Sequence, residues 1–208
     1  MKGIFITVEG VEGCGKSTQI LLLKAYLESR GREVIVTREP GGTVIAETIR
    51  SILLDPENAA LSPMAEAFLY AAARAQHVDE RIRPALEAGK VVLSDRFADS
   101  TTAYQGAGRQ LPEETIQSLH SMATRGTWPH LTIVVDVPAE EGLKRAGHVN
   151  PPDRIEMEPI EFHRGVREAF LQIAQKDPAR VHVVDGTRSV EAVAAAVRDL
   201  VEPLFGDL

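Results

Sequence analysis

Several features that mark a protein class are missing from this chain. Its 208 residues include one cysteine, Cys14, so no internal disulfide is available, and no Cys/His spacing suggests a zinc site. There is no basic surplus: 23 Lys+Arg stand against 30 Asp+Glu, a formal net charge of −7. A protein that coats nucleic acid needs a basic face to displace counterions, so nucleic acid is not an expected partner. A long apolar run is also absent. The stretch MKGIFITVEGVEG is too short in apolar residues for a signal-peptide core or a membrane span, so the expectation is a soluble, cytoplasmic protein with no membrane partner. No repeat of 20–50 residues, low-complexity tract or long block of one charge divides the chain. Residues 1–208 are therefore read as one domain, with 44% apolar residues to fill its core.

What is present is an alternation. Short β-branched apolar runs recur at Ile4–Val8, Val34–Thr37, Val91–Ser94, Leu131–Val137 and Val181–Val184, each bounded by Gly, Pro or charged residues. Strands buried on both faces of a parallel sheet read this way. Helical patterns lie between them. In the last, Val190, Val193, Ala194, Val197, Leu200, Val201 and Leu204 form one apolar stripe. Another opens with Ser62–Pro63, an N-cap followed by a proline at the first helical position, and runs past Ala71 and Arg74. The pattern predicts an α/β fold with about five parallel strands and helices on both faces.

Directly after the first strand comes Gly10-Val11-Glu12-Gly13-Cys14-Gly15-Lys16-Ser17, with Thr18 next, and a helical run follows. This G-x-x-x-x-G-K-S pattern, residues 10–17, is a phosphate-binding P-loop. Its glycines let backbone N–H groups converge on phosphate oxygens, and the helix adds its positive N-terminal end. Lys16 is expected at the β- and γ-phosphates and Ser17 on Mg²⁺, so the expected ligand is a nucleoside triphosphate such as ATP.

The remaining arginines sharpen the reading; 17 of the 23 basic residues are arginine. Thr37-Arg38-Glu39-Pro40-Gly41-Gly42 follows the second strand, and Ser94-Asp95-Arg96-Phe97 follows the third. Both stretches fall at the carboxyl edge of the sheet, where α/β folds bind ligands. Arg38 and Arg96 are placed to grip a second phosphate with bidentate forks, and Asp95 to hold Mg²⁺. Taken singly, each arginine reads equally well as a surface salt bridge.

With VEGVEGCGKST, TREPGGT, AAARAQ, SDRFADST, AYQG, LTIVVDVP, LKRA, DRIE and VVDGT in this order, the sequence resembles the thymidylate kinases, closest to bacterial members. The likeness runs over nearly the whole chain. It implies an ATP-dependent phosphotransferase acting on dTMP, with a P-loop, a parallel sheet, a lid and a homodimeric assembly. Carried over by position, it puts the dTMP phosphate between Arg38 and Arg96 with Arg50 nearby. It sets Glu12 at the sugar 3′-hydroxyl, Arg74 on the thymine and Tyr70 stacked against the base, where the family usually has phenylalanine. Ser100, Thr101 and Gln105 then fall beside the nucleotide, Tyr104 crowds the sugar C2′, and Arg145 packs on the ATP adenine. The acceptor is a phosphate oxygen already ionised at neutral pH, so positioning and charge neutralisation suffice, without a strong general base.

Two stretches carry open expectations. Ala146–Asp153 (AGHVNPPD) reads either as a surface connection or as a mobile lid that excludes water. Members of the family place a catalytic basic residue in the P-loop or in the lid. Here Val11, Glu12, Gly13 and Cys14 are not basic, and the lid carries only His148, with Gly147 and Val149 where relatives have arginines. Arg154 is therefore expected to supply charge to the transferring phosphoryl group. Cys14, among P-loop amides, reads either as a reactive thiol or as a small residue filling a turn. The alternatives in function are a kinase for another nucleoside monophosphate, a P-loop regulatory switch or an inactive binding protein. A guanine-specific switch would carry Asn-Lys-x-Asp, and no Asn-Lys pair occurs.

Overall fold

The computed structural model describes residues 3–147 and 151–206. Five strands, β1 (Ile4–Glu9), β2 (Val34–Arg38), β3 (Val91–Asp95), β4 (Leu131–Asp136) and β5 (Val181–Asp185), form one parallel sheet in the order β2-β3-β1-β4-β5. The expected strands are all present. Four of them run one residue further than the apolar runs, through Glu9, Arg38, Asp95 and Asp185, while β4 stops at Asp136. The reason is physical: a charged residue at the carboxyl edge keeps its backbone in the ladder, and at Arg38 and Asp95 the side chain reaches the cleft.

Helices α1 (Lys16–Ser29), α2 (Val44–Leu54), α3 (Pro63–His77), α4 (Arg83–Glu87) and α5 (Ala98–Thr101) fall in the first half. They are followed by α6 (Glu113–Thr124), α7 (Ala139–Ala146), α8 (Ile160–Lys176) and α9 (Val190–Val201). Ser62 caps α3 as the sequence suggests, accepting from the Ala65 N–H at 3.3 Å, with Pro63 opening the helix. In α9 the stripe buries Val193, Ala194, Val197 and Val201 against Ile20, Leu23 and Leu27 of α1 and the sheet, while Val190 at the helix start stays outside.

The opposite face of the sheet is covered differently. Phe5 and Val92 pack there with Phe97 and Ala98, and the Phe5 and Phe97 rings meet edge to face at 4.9 Å. Helices α3 and α6 join through Ala67, Ala71 and Ala123, whose small side chains leave room for Leu119 between them. Register then sets the site. Arg38 and Val8 both lie level with Asp95, so the ends of β2, β3 and β1 and the loops after them stand side by side. Among the described residues no helix is long and apolar enough to cross a membrane.

Candidate phosphoryl-transfer site

The loop after β1 turns through positive φ at Gly10, Gly13 and Gly15 before α1 begins. Gly13 is required by contact as well as by conformation. A Cβ there would run into the carbonyl of Gly142 on α7, and a Cβ on Gly142 would run into the carbonyl of Glu12. The two glycines let α7 close on the P-loop, and this brings Arg145 alongside it. Arg145 is held by Glu141 and, at 3.4 Å, by the Gly186 carbonyl beyond β5. Lys16 is folded back over the loop, donating to the carbonyls of Gly10 (3.2 Å) and Val11 (2.9 Å). Ser17 and Thr18 are exposed on the first turn of α1. Cys14, in contrast, is 2% exposed and belongs to the main core cluster, so the structure favours the turn-filling reading over the reactive one. Its sulfur lies 3.6 Å from Lys16 Nζ.

Ser17 Oγ donates to Asp95 Oδ2 at 3.0 Å. An aliphatic hydroxyl beside a strand-end carboxylate is a hard-oxygen donor set, suited to a cation that keeps most of its ligands as water and substrate phosphate. By their chemistry these two oxygens fit Mg²⁺ arriving with a nucleotide; among the described residues no cluster of three His, Cys, Asp or Glu forms a complete metal cage.

Across from the P-loop, Arg38 at the end of β2 pairs with Glu47 at 2.9 Å, and Glu47 also accepts from the Gly42 N–H at 2.9 Å. Arg50, one turn along α2, donates to the Pro40 carbonyl at 3.0 Å. Burial and the neighbouring Arg38 charge push the Arg50 guanidinium down from its ordinary value, the signature of cations gathered where an anion belongs. Arg96 sits with φ 73°, a conformation that costs a non-glycine residue about 1–3 kcal/mol. The end of β1 and its neighbours hold it there: Arg96 N–H donates to the Val8 carbonyl at 3.0 Å, Ser94 Oγ to the Arg96 carbonyl at 2.8 Å, and Phe97 N–H to Glu9 at 2.7 Å. The strained turn aims the Arg96 side chain into the cavity.

That cavity has a volume of about 360 Å³, and its lining carries Lys16, Arg38, Arg50, Arg74 and Arg96. Glu12 stands between the two halves. Its Oε1 accepts from Arg96 Nη2 at 3.0 Å and from the Tyr104 hydroxyl, and its Oε2 lies 3.3 Å from Nδ1 of the buried His163. Burial works against this charge. His163, the Arg96 and Lys16 charges and the Tyr104 hydroxyl outweigh it and hold the carboxyl down at about 2. Tyr104, in a widened π-helical turn over Thr102–Gly108, also carries the Arg96 guanidinium over its ring at 4.9 Å. Burial beside Glu12 raises its phenol well above the usual value, so it remains a donor.

The far wall is built on α3. Arg74 is 2% exposed; its Nε donates to Glu39 at 2.8 Å and its Nη2 to the Phe97 carbonyl at 3.0 Å. Glu39 is held in turn by His77 at 2.9 Å, and His77 by Thr37 at 2.6 Å. Arg74 Nη1 and Thr101 Oγ1 are buried without partners among the described residues, and both residues line the cavity. Buried orphans of this kind are rare and ask for a ligand. Tyr70 lines the same wall, its phenol pushed up by burial and by Glu66. Ser100 accepts from Arg96 Nη1 at 3.2 Å and donates to Glu9; Gln105 donates to Glu66 at 2.8 Å.

The structure turns Arg154 away from the place expected for it. It is 6% exposed and not on the cavity lining: its Nη2 lies 2.7 Å from Glu66, its Nε donates to the Leu53 carbonyl at 2.7 Å, and its N–H donates to the Leu54 carbonyl at 3.0 Å. Its neighbours Asp153, Ile155 and Glu156 line the cavity instead. Within DRIE, therefore, the apolar Ile155 and the two acids face the cavity while the arginine turns inward to neutralise Glu66. The lid residues His148 and Val149 lie outside the described residues. Sequence reasoning also missed Glu9, Glu39 and His163. Glu9 was hidden by ending the first strand at Val8, whereas Glu39 stood in view within TREPGG.

Comparison with known proteins finds one family throughout. The family model described as Thymidylate kinase matches residues 8–197. A thymidylate kinase of Geotalea uraniireducens (strain Rf4) is 52% identical over 201 residues, 94% of each chain. One from Symbiobacterium thermophilum is 52% identical over 203 residues, 97% of this chain and 94% of the other. The crystal structure of thymidylate kinase from Ehrlichia chaffeensis superposes with a TM-score of 0.79 at 32% identity, covering 97% and 99% of the two chains.

Proposed function

The chain belongs to the thymidylate kinase family, which converts ATP and dTMP to ADP and dTDP, and we propose that the cavity between the P-loop and α3 is where it does so. The observation that carries this assignment is the opposition of two cationic groups, Lys16 on one side and Arg38, Arg50 and Arg96 on the other. They suit two phosphate groups that must meet end to end.

In this reading Lys16 leaves the Gly10 and Val11 carbonyls for the ATP phosphates, joined by the P-loop amides from Gly10 to Thr18. Arg145 lies alongside for the adenine. Ser17 and Asp95 hold Mg²⁺, which supplies charge neutralisation on the phosphates. Arg38, Arg50 and Arg96 clamp the dTMP phosphate. Its oxygen forms a bond to the γ-phosphorus as the bond to the ADP oxygen breaks, and no side chain need remove a proton. Arg74 Nη1 and Thr101 Oγ1 meet the thymine edge, Tyr70 stacks, and Ser100 and Gln105 brace the turn that carries Tyr104. Glu12 and Tyr104 face the sugar.

The proposal includes one catalytic unit over residues 1–208, a cytoplasmic setting where ATP is plentiful, and a homodimer. Helices α2, α3 and α6 lie side by side, and each leaves large apolar side chains exposed (Ile45, Ile52, Phe68 and Met122), a surface suited to a second copy. The test is an ADP-release assay with ATP, Mg²⁺ and a panel of monophosphates. Turnover with dTMP far above dCMP, dGMP and UMP is expected; equal rates with UMP would remove the sugar and base assignments.

A further inference from the structure

The two oxygens of Glu12 are unequally served. Oε1 takes both the Arg96 and the Tyr104 donors, whereas Oε2 is buried and has no aligned hydrogen bond among the described residues. Opposite Oε2, at 3.3 Å, is Nδ1 of His163 on the first turns of α8. His163 is 0% exposed, and among the described residues neither of its ring nitrogens has a hydrogen-bond partner. Two unsatisfied buried groups that face one another cost free energy separately and recover it by meeting. Of the two ring nitrogens, Nδ1 is the one within ion-pair reach of Oε2, so a proton there completes the carboxylate.

The surroundings keep the imidazole in place. Its ring meets the Phe162 ring edge-on at 5.4 Å, and Phe162 packs beside Tyr104 at 6.1 Å. Gly108 is open enough for that ring only because it lacks a Cβ, which would strike it. The start of α8 is thus fitted against the turn that carries Tyr104.

We propose that His163 is a positioning residue for the acceptor sugar: its Nδ1 pins the second oxygen of Glu12, so that α8 helps set the demand for a 3′-hydroxyl. A carboxylate held at one oxygen still swings about its terminal bond. Held at both, it presents a fixed lone pair to a hydroxyl in the cavity. This rests on the reading of Glu12 as the sugar contact.

The test compares kcat/KM for dTMP with that for its 3′-deoxy analogue in wild type, His163→Phe, His163→Asn and Glu12→Gln. Phenylalanine keeps the ring and loses the donor, whereas asparagine restores an N–H near the Nδ1 position. In His163→Phe the dTMP-to-analogue ratio is expected to fall about tenfold, the size of one charge-assisted hydrogen bond, with the ATP KM unchanged. His163→Asn is expected to recover most of the ratio. An unchanged ratio in His163→Phe, or equal losses on both substrates, overturns the proposal. Glu12→Gln separates the two levels: a wild-type ratio there overturns the Glu12 reading, and the proposal falls with it. A collapsed ratio in Glu12→Gln beside an unchanged one in His163→Phe removes the proposal alone. Should the Phe variant not fold, His163→Gln, whose amide reaches the Nε2 position instead, gives the same comparison.

Discussion

Arg154 and Glu66 form a 2.7 Å ion pair with 6% and 0% of their side chains exposed. Glu66 is also gripped by Arg109 and Gln105, and these partners hold its carboxyl below the ordinary value although burial pushes the other way. Arg109 continues the chain to Glu158 at 2.6 Å. The network ties α3, the Tyr104 turn and the DRIE segment into one piece. In this structure the guanidinium is spent on that network and does not reach the cavity lining.

From this, Arg154→Ala is expected to cost about 2–4 kcal/mol of stability, somewhat below a full buried-pair rupture because Arg109 remains on Glu66. The folded variant should keep kcat within about tenfold, or ~1.4 kcal/mol, of wild type. Urea unfolding and initial rates on the same preparation give both numbers. An intact melting curve with kcat down a thousandfold would falsify the structural assignment and restore Arg154 to the transferring group.

Arg74 offers the cavity one guanidinium nitrogen that has no partner among the described residues. Its Nε and Nη2 are spent on Glu39 and the Phe97 carbonyl, so the planar fork is already oriented before a nucleotide arrives. Arg74→Lys retains charge for Glu39, but its single compact nitrogen cannot span the planar fork that reaches Glu39, the Phe97 carbonyl and the cavity together. The KM for dTMP should rise about 10–100-fold with little change in the ATP KM. A variant with unchanged dTMP KM would show that the orphan nitrogen has no ligand.

Much of this arrangement was legible in the sequence. The P-loop, TREPGG and DRF sit where the strand runs end, and a ligand edge follows from strand order and register alone. Arg38 and Arg96 were readable for that reason: they stand where strands end in turns written in glycine, proline and charged residues. Arg50 and Arg74 lie within α2 and α3 and were legible only through the family resemblance. What escaped was the pairing of distant groups. Nothing near Arg154 announces Glu66 on α3, and nothing near Glu12 announces His163 on α8; both contacts come from how helices settle on the sheet. Glu9 escaped for a different reason, since an apolar-run criterion stops at the first charge even where the ladder goes on.

Cys14 supports a negative prediction. Its side chain is packed under the P-loop, and a Cβ on Gly10 would sit 2.8 Å from its sulfur, so no room is left for an alkyl group. Native enzyme treated with iodoacetamide should be labelled slowly and keep its activity until it unfolds, whereas protein in denaturant reacts at once. Rapid stoichiometric labelling of the folded enzyme, with ATP protecting, would restore the reactive-thiol reading.

The last prediction concerns Glu9, fully buried at the end of β1, where it accepts from the Phe97 N–H and the Ser100 hydroxyl. Burial, with the Asp99 charge adding to it, lifts the carboxyl from 4.5 to about 8 against the opposing pull of Ser100 and Arg96. Between those two values the folded protein holds a proton that the unfolded chain has released. Stability therefore falls as pH rises from 4.5 toward 8, and the cost is complete above the folded value. Glutamine copies the protonated carboxyl and cannot ionise. Glu9→Gln should consequently gain on wild type as pH rises, by about 1–2 kcal/mol or more between pH 5 and pH 8. Urea melts at three pH values in that window provide the check: two curves that stay parallel would mean Glu9 is already ionised in the folded protein. A widening gap in favour of glutamine would place its proton between β1 and the turn that aims Arg96.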